Sequence, residues 1–186
     1  MSIGLLGGTF DPPHAGHVQI SEMALKRLGL DRLWWLVTPG NPLKTRGDMA
    51  SFTDRLKAAR AVVRNPRIVV TGLEAAAGST YTADTIAFLN RRYPDTQFVW
   101  IMGADNLVEF DRWNRWRDIM QAVPIAVMDR PGYRLAARAS RAARRFANAY
   151  VEESDALGLK HIAPPAWTFL TVPLSPLSST KLRAQG

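Results

Sequence analysis

The sequence predicts an α/β fold, a parallel sheet doubly wound with helices on both faces. Three observations carry this. Short runs of strand length alternate with stretches of helical periodicity along the chain. The runs are apolar almost throughout instead of alternating with polar residues, as in strands covered on both faces. No internal repeat, low-complexity tract or linker interrupts the pattern, so residues 1–186 read as one domain.

The elements follow in order. Ser2 to Leu6 reads as a strand, and Val18 to Leu28 as a helix stopped by Gly29. Leu33 to Thr38 is a second strand and Thr53 to Arg64 a second helix. Ser51 with Asp54 resembles a capping box for that helix. Ile68 to Thr71 is a third strand, and Thr82 to Tyr93 a helix ended by Pro94. Phe98 to Met102, bounded by Gly103, is a fourth strand. Ile125 to Met128 is a fifth, followed by the turn Arg130-Pro131-Gly132-Tyr133. Leu135 to Ala149 reads as one basic helix and Thr168 to Val172 as the last strand. Pro39 to Asp48, with Gly40, Pro42 and Gly47, reads as a mobile loop, and Val151 to Pro165 as a second long connection. This alternation is Rossmann-like. Ligands of such sheets bind beyond the carboxyl ends of the strands, where the strand order reverses. The segments to inspect are therefore Gly7–His17, Pro39–Lys44, Thr71–Thr82, Gly103–Trp113 and Arg130–Tyr133.

Composition narrows the class. Hydrophobic residues make up 47% and charged residues 22%, as in ordinary globular proteins. The absence of cysteine excludes a disulfide scaffold, a thiolate nucleophile and a cysteine-ligated metal, and it fits a reducing cytoplasm. No apolar run approaches the roughly 18 residues that span a bilayer. Ile3 to Leu6 is too short for a signal peptide and lacks a basic leader, so the chain is expected in the cytoplasm and off the membrane. A net charge of +8 suits an anionic partner. Arg134, Arg138, Arg141 and Arg145 recur at helical spacing with Arg144 beside them, but no aromatic pattern accompanies them. They read as a solvated helix face, with a basic nucleic-acid-binding domain as the rival from another class.

The segment after the first strand reads GGTFDPPHAGH. Gly7 and Gly8 allow a sharp turn and close approach of backbone to a phosphate. Pro12 and Pro13 stiffen the loop, and His14 and His17 fall at the mouth of the first helix. A helix start offers free N–H groups to phosphate oxygens, and two imidazoles there can add hydrogen bonds as negative charge develops. A zinc site is the other use of paired histidines. With His161 the only further histidine, no structural zinc is expected.

GGTFDPPHAGH closely resembles the signature of the adenylyltransferase superfamily with the His-x-Gly-His motif. Ser178-Ser179-Thr180-Lys181-Leu182-Arg183 resembles its second signature, Ser-Ser-Thr-x-x-Arg. Gly103-Ala104-Asp105-Asn106-Leu107 with Phe110 and Trp113 is similar to a pattern of the bacterial nicotinate mononucleotide adenylyltransferases. So are Tyr81-Thr82-Ala83-Asp84-Thr85, Asn41-Pro42-Leu43-Lys44 and Arg130-Pro131-Gly132-Tyr133. Thr80 stands where that family usually has serine, and the chain stops three residues after Arg183, where many relatives continue into another helix.

The resemblance implies an adenylyltransferase-type fold and a reaction in NAD biosynthesis, joining ATP and nicotinate mononucleotide into deamido-NAD and pyrophosphate. His14 and His17 would hold the phosphates and the developing charge, with Gly8, Thr9 and Phe10 lending backbone contacts. Ser179, Thr180 and Arg183 would grip the leaving pyrophosphate. Lys44 would touch phosphate, Asp105 a ribose hydroxyl or the metal's surroundings, and Arg130 would line the nucleotide site. Tyr81, Thr82 and Thr85 would receive the nicotinate carboxylate at a helix start, and Trp113 would stack on its ring. Mg²⁺ would arrive with ATP, held mostly by phosphate oxygens and water. The implied partners are these two small substrates, with no nucleic acid or membrane and with homo-oligomerisation open. Sister transferases acting on nicotinamide mononucleotide, phosphopantetheine or a sugar phosphate are the nearest alternatives.

Overall fold

A computed structural model describes residues 1–40, 49–76, 78 and 80–173. Among them, six strands form one sheet: β1 (Ser2–Gly8), β2 (Arg32–Val37), β3 (Ile68–Thr71), β4 (Gln97–Gly103), β5 (Ile125–Met128) and β6 (Trp167–Leu170). Their order is β3-β2-β1-β4-β5-β6, and all neighbours run parallel. The chain first winds outward from β1 to β3, then returns to lay β4 against the other side of β1. The strand order reverses between β1 and β4, so a crevice opens beyond their carboxyl ends.

Helices cover both faces, with side chains assigned by the two-residue alternation of each strand. Ile3 and Leu5 of β1 with Phe98, Trp100 and Met102 of β4 face one core. That core is completed by α4 (Thr82–Arg92), α5 (Ala104–Glu109), α6 (Trp116–Ala122), α7 (Arg134–Arg138) and α8 (Arg141–Arg145). Leu6 of β1 with Val99 and Ile101 of β4 face the other, beneath α1 (Ala15–Arg27) and α2 (Phe52–Val62). A short α3 (Leu73–Ala76) follows β3.

The local signals act as their chemistry demands. Gly29 ends α1 with φ +58°, and the Leu30 N–H donates back to the Leu25 carbonyl at 3.1 Å, a glycine stop in the left-handed conformation. Ser51 caps α2, accepting the Asp54 N–H at 3.1 Å and donating to its carboxylate at 2.6 Å.

The basic helix expected over Leu135–Ala149 is corrected. Ser140 divides it: its backbone turns extended (φ −62°, ψ 158°) and its hydroxyl accepts the Ala143 N–H, so α8 starts afresh. A 3-10 turn, Ala147–Ala149, follows. The arginines there are solvent-exposed as expected, but they lie on two short helices and not on one. Arg134 pairs with Asp129, Arg141 lies 3.7 Å from Asp111, and Arg138 and Arg145 lie over the rings of Phe169 and Phe146. The connection Val151–Pro165 is largely a 3-10 stretch, Glu153–His161. Among the described residues no helix is long and apolar enough to cross a membrane.

Candidate active site

The crevice is built first by the turn after β1. Gly7 has no side chain because the Trp100 indole fills its place: a Cβ there would lie 2.6 Å from that ring. Packing against Trp100 thus requires glycine at position 7 independently of any phosphate. Phe10 takes φ +48°, a left-handed conformation costly for a bulky residue. Its buried ring stacks on Trp35 at 4.6 Å and 12°, which holds the strained backbone in place. Arg55, a buried residue of α2, reaches the same turn. Its guanidinium donates to the carbonyls of Thr9 (2.7 Å), Thr38 (2.8 Å), Pro39 (3.3 Å) and Ala50 (3.0 Å). Four carbonyls around one fork fix the ends of β1 and β2 relative to α2.

His14 is the N-cap of α1 and His17 lies in its first turn. Their rings sit 3.9 Å apart, and the His14 backbone N–H donates to His17 Nδ1 at 3.2 Å. That bond places the proton of the neutral His17 ring on Nε2, free to donate. The start of α1 is anchored from below: the Trp35 indole donates to Ser21 at 2.7 Å, and the Ser21 hydroxyl to the His17 carbonyl at 2.8 Å. Burial, then the charges of His14 and Arg130, hold the His17 pKa down at about 3. Burial and Arg130 likewise lower that of His14. Both rings are therefore neutral near pH 7, each with one N–H to give.

Across the crevice, Arg130 after β5 pairs with Asp105 in the first turn of α5 at 2.5 Å. The other Asp105 oxygen, Oδ1, is buried without a hydrogen-bond partner among the described residues. Gly103 makes room for this carboxylate, since a Cβ there would lie 2.4 Å from Oδ1. Asp129 receives the Arg130 backbone N–H at 2.8 Å and the Arg134 Nε at 2.9 Å, which shapes the turn carrying Arg130. His14, His17, Gln19, Asp129, Arg130 and Val172 help line a small pocket of about 60 Å³ at this point. No three His, Cys, Asp or Glu side chains among the described residues are grouped to hold a metal ion.

The second half of the crevice lies beside β4. Tyr81 is exposed and caps α4, and Thr82 opens that helix. Thr85 is fully buried, its hydroxyl directed to the Tyr81 carbonyl at 3.3 Å, so it acts on the helix start and not on its surface. Trp113 is half-buried, with its ring at 85° and 6.4 Å to Trp100 and at 69° and 5.2 Å to Phe110. The structure thus brings Thr9, Phe10, His14, His17, Asp105 and Arg130 to one crevice. Gly8 ends β1 beside them, with Trp113 and the start of α4 on its far flank. Lys44, Ser179, Thr180 and Arg183 lie outside the described residues. Sequence reasoning missed Arg55. The available signal was its spacing from Ala59, four residues on, which places a charged residue on the buried face of α2.

A switch-point crevice lined by paired neutral imidazoles at a helix start defines a nucleotide-handling class of protein. The chain belongs to the cytidylyltransferase-like family, whose model matches residues 5–185. Within that family it is 58% identical over 186 residues to a probable nicotinate-nucleotide adenylyltransferase of Cereibacter sphaeroides, covering 100% of this chain and 98% of the relative. It is 56% identical over 185 residues to one of Methylorubrum extorquens, covering 100% of both. Among solved structures it resembles a Plasmodium falciparum nicotinic acid mononucleotide adenylyltransferase complexed with NaAD. The TM-score is 0.74 at 16% identity, over 98% of this chain and 82% of that one, a likeness of fold. The same parasite enzyme complexed with APC gives a TM-score of 0.71.

Proposed function

We propose that this chain, as one domain of residues 1–186, is a cytoplasmic enzyme of NAD biosynthesis that joins ATP and nicotinate mononucleotide into deamido-NAD and pyrophosphate. The observation that carries the chemistry is the pair of neutral imidazoles at the start of α1, facing Asp105 and Arg130 across the crevice. The acceptor is supported by the relatives' shared name and by Tyr81, Thr82 and Trp113 on the flank beside β4.

The 5′-phosphate oxygen of the mononucleotide attacks the α-phosphorus of ATP in line. A new P–O bond forms as the bond to the β-phosphate oxygen breaks, and pyrophosphate leaves with the electron pair. No protein nucleophile takes part, so catalysis is positioning and charge stabilisation. His17 Nε2–H and His14 donate to the phosphate oxygens. Gly8, Thr9 and Phe10 offer backbone to the phosphates, and Arg130, steered by Asp105, adds positive charge. Lys44, Ser179, Thr180 and Arg183 are assigned to the triphosphate on motif grounds. Thr82 and the start of α4 receive the nicotinate carboxylate, held by Thr85, and Tyr81 and Trp113 border its ring. Asp105 brings to the crevice a carboxylate oxygen with no hydrogen-bond partner among the described residues. That suits Mg²⁺, which would be held mainly by triphosphate oxygens and water near Asp105 and would supply neutralisation of phosphate charge.

Pyrophosphate release tests this. It should require ATP, Mg²⁺ and one acceptor, and nicotinate mononucleotide should outpace nicotinamide mononucleotide, phosphopantetheine and sugar phosphates. Turnover confined to one of the others would overturn the acceptor.

A further inference from the structure

Glu74 is a buried acid that the proposed chemistry does not use. It sits on α3, is 4% exposed, and contacts two threonine hydroxyls: Thr38, just beyond β2, and Thr85, in the first turn of α4. A hydroxyl has one proton to give. That of Thr38 goes to the Gly40 carbonyl at 2.7 Å, and that of Thr85 is directed to the Tyr81 carbonyl at 3.3 Å. Toward Glu74 both threonines are left with lone pairs, so a hydrogen bond there needs a proton on the carboxyl.

Glu74 Oε2 is moreover buried with no hydrogen-bond partner among the described residues. That burden is heavy for a carboxylate and far lighter for the neutral acid. Burial pushes the Glu74 pKa up to about 7, and the threonines oppose this only to the extent that their hydroxyls turn from the Gly40 and Tyr81 carbonyls to donate to the carboxylate. Among the described residues no charged side chain enters the balance; Asp84, the acid in the first turn of α4, is engaged by Arg115 at 3.0 Å.

We infer that Glu74 is a positioning residue for the acceptor. As the protonated acid it braces the start of α4 against the tip of β2. As the carboxylate it loses that brace and sets a negative charge behind the helix start that receives the acceptor's own carboxylate. The inference rests on Tyr81–Thr85 being the nicotinate segment. It makes acceptor affinity, and not phosphoryl chemistry, depend on a proton far from the phosphates.

The test compares wild type with Glu74→Gln, whose amide keeps a donor and cannot ionise. KM for nicotinate mononucleotide is followed across pH values on either side of 7, with nicotinamide mononucleotide in parallel to cancel the titration of the shared phosphate. Wild-type KM for the nicotinate substrate should rise roughly tenfold above neutrality, the order of size of one like-charge repulsion in a partly screened site. Its kcat and the KM for ATP should stay level, and E74Q should stay at the low-pH value. An unchanged pH profile in E74Q, or an equal rise for the neutral amide, overturns the inference while leaving the transferase intact. Absence of pyrophosphate release with nicotinate mononucleotide at any pH overturns the acceptor reading and this inference with it. Should E74Q not fold, NMR of wild type with ¹³C-labelled glutamate decides. One carboxyl titrating near 7 should move upward when saturated with nicotinate mononucleotide, and an unmoved midpoint refutes the coupling.

Discussion

The two flanks of the crevice are built differently. The turn from β1 into α1 is buried and over-determined: Arg55 gathers four carbonyls, Phe10 stacks on Trp35, and Ser21 relays a hydrogen bond to His17. The flank beside β4 presents the exposed Tyr81, the half-buried Trp113, and two helices of only 6 and 7 residues. Groups that stabilise charge in a transition state must not reorganise during reaction, and the rigidity of the first flank suits the role proposed for it. A recognition surface must instead leave apolar and polar area uncovered for the ligand.

Substitutions can break or sharpen this contrast. The largest effect is expected for His17→Ala, which should lower kcat about 10²–10³-fold with little change in melting temperature, the loss typical of one preorganised donor. A kcat near wild type would remove the chemistry from that flank. Next, Arg55→Met leaves buried carbonyls unpaired and should cost about 3 kcal/mol or more in chemical denaturation, with kcat falling alongside. Loss of stability without loss of kcat would show that the turn needs no bracing. Trp113→Ala should raise KM for nicotinate mononucleotide roughly tenfold, stacking being worth about 0.5–1.5 kcal/mol beyond area, and should leave KM for ATP unchanged. An equal rise in both would erase the division of labour. Smallest is Arg141→Ala, which breaks an exposed 3.7 Å pair and should change stability by less than about 1 kcal/mol.

The flanks also differ in the direction of their pH response. His17 has a folded-state pKa of about 3 against 6.5 for the free group. The stability tied to its neutral form is present above 6.5 and is lost as pH falls toward 3. Glu74, at about 7 against 4.5, does the opposite: its share is present below 4.5 and is lost as pH rises through 7. Urea unfolding should therefore show E74Q gaining on wild type as pH rises through that window. His17→Gln should lose less than wild type below pH 6.5. A shared, parallel pH profile in both variants would contradict the assignment of the two groups.

What was legible depended on whether the deciding contacts were local. Ile68–Thr71 and Ile125–Met128 are strands with the expected bounds, and Gly29 and Ser51 end and begin helices as expected, because each signal lies within a few residues. His14 and His17 were readable for the same reason, lying on one turn with the glycines that precede them. The two short helices α5 and α6 escaped, being too brief to show periodicity. The basic helix was read too long because charge spacing outweighed Ser140, a cap in the middle of the run. Arg55, Glu74 and the true occupant of the space above Gly7 depend on partners from other strands and helices, which no local pattern announces.

The pairing of β1 with β4 joins Ser2 to Gln97, across more than half of the chain, while β1 with β2 joins Ile3 to Arg32. Closing the longer loop costs more chain entropy, and such contacts slow folding. The β1–α1–β2 half can assemble early with its imidazoles in place, yet the crevice exists only once β4 docks. Gain of nucleotide binding is thus a clock for long-range assembly, and it should lag the appearance of secondary structure in a refolding experiment.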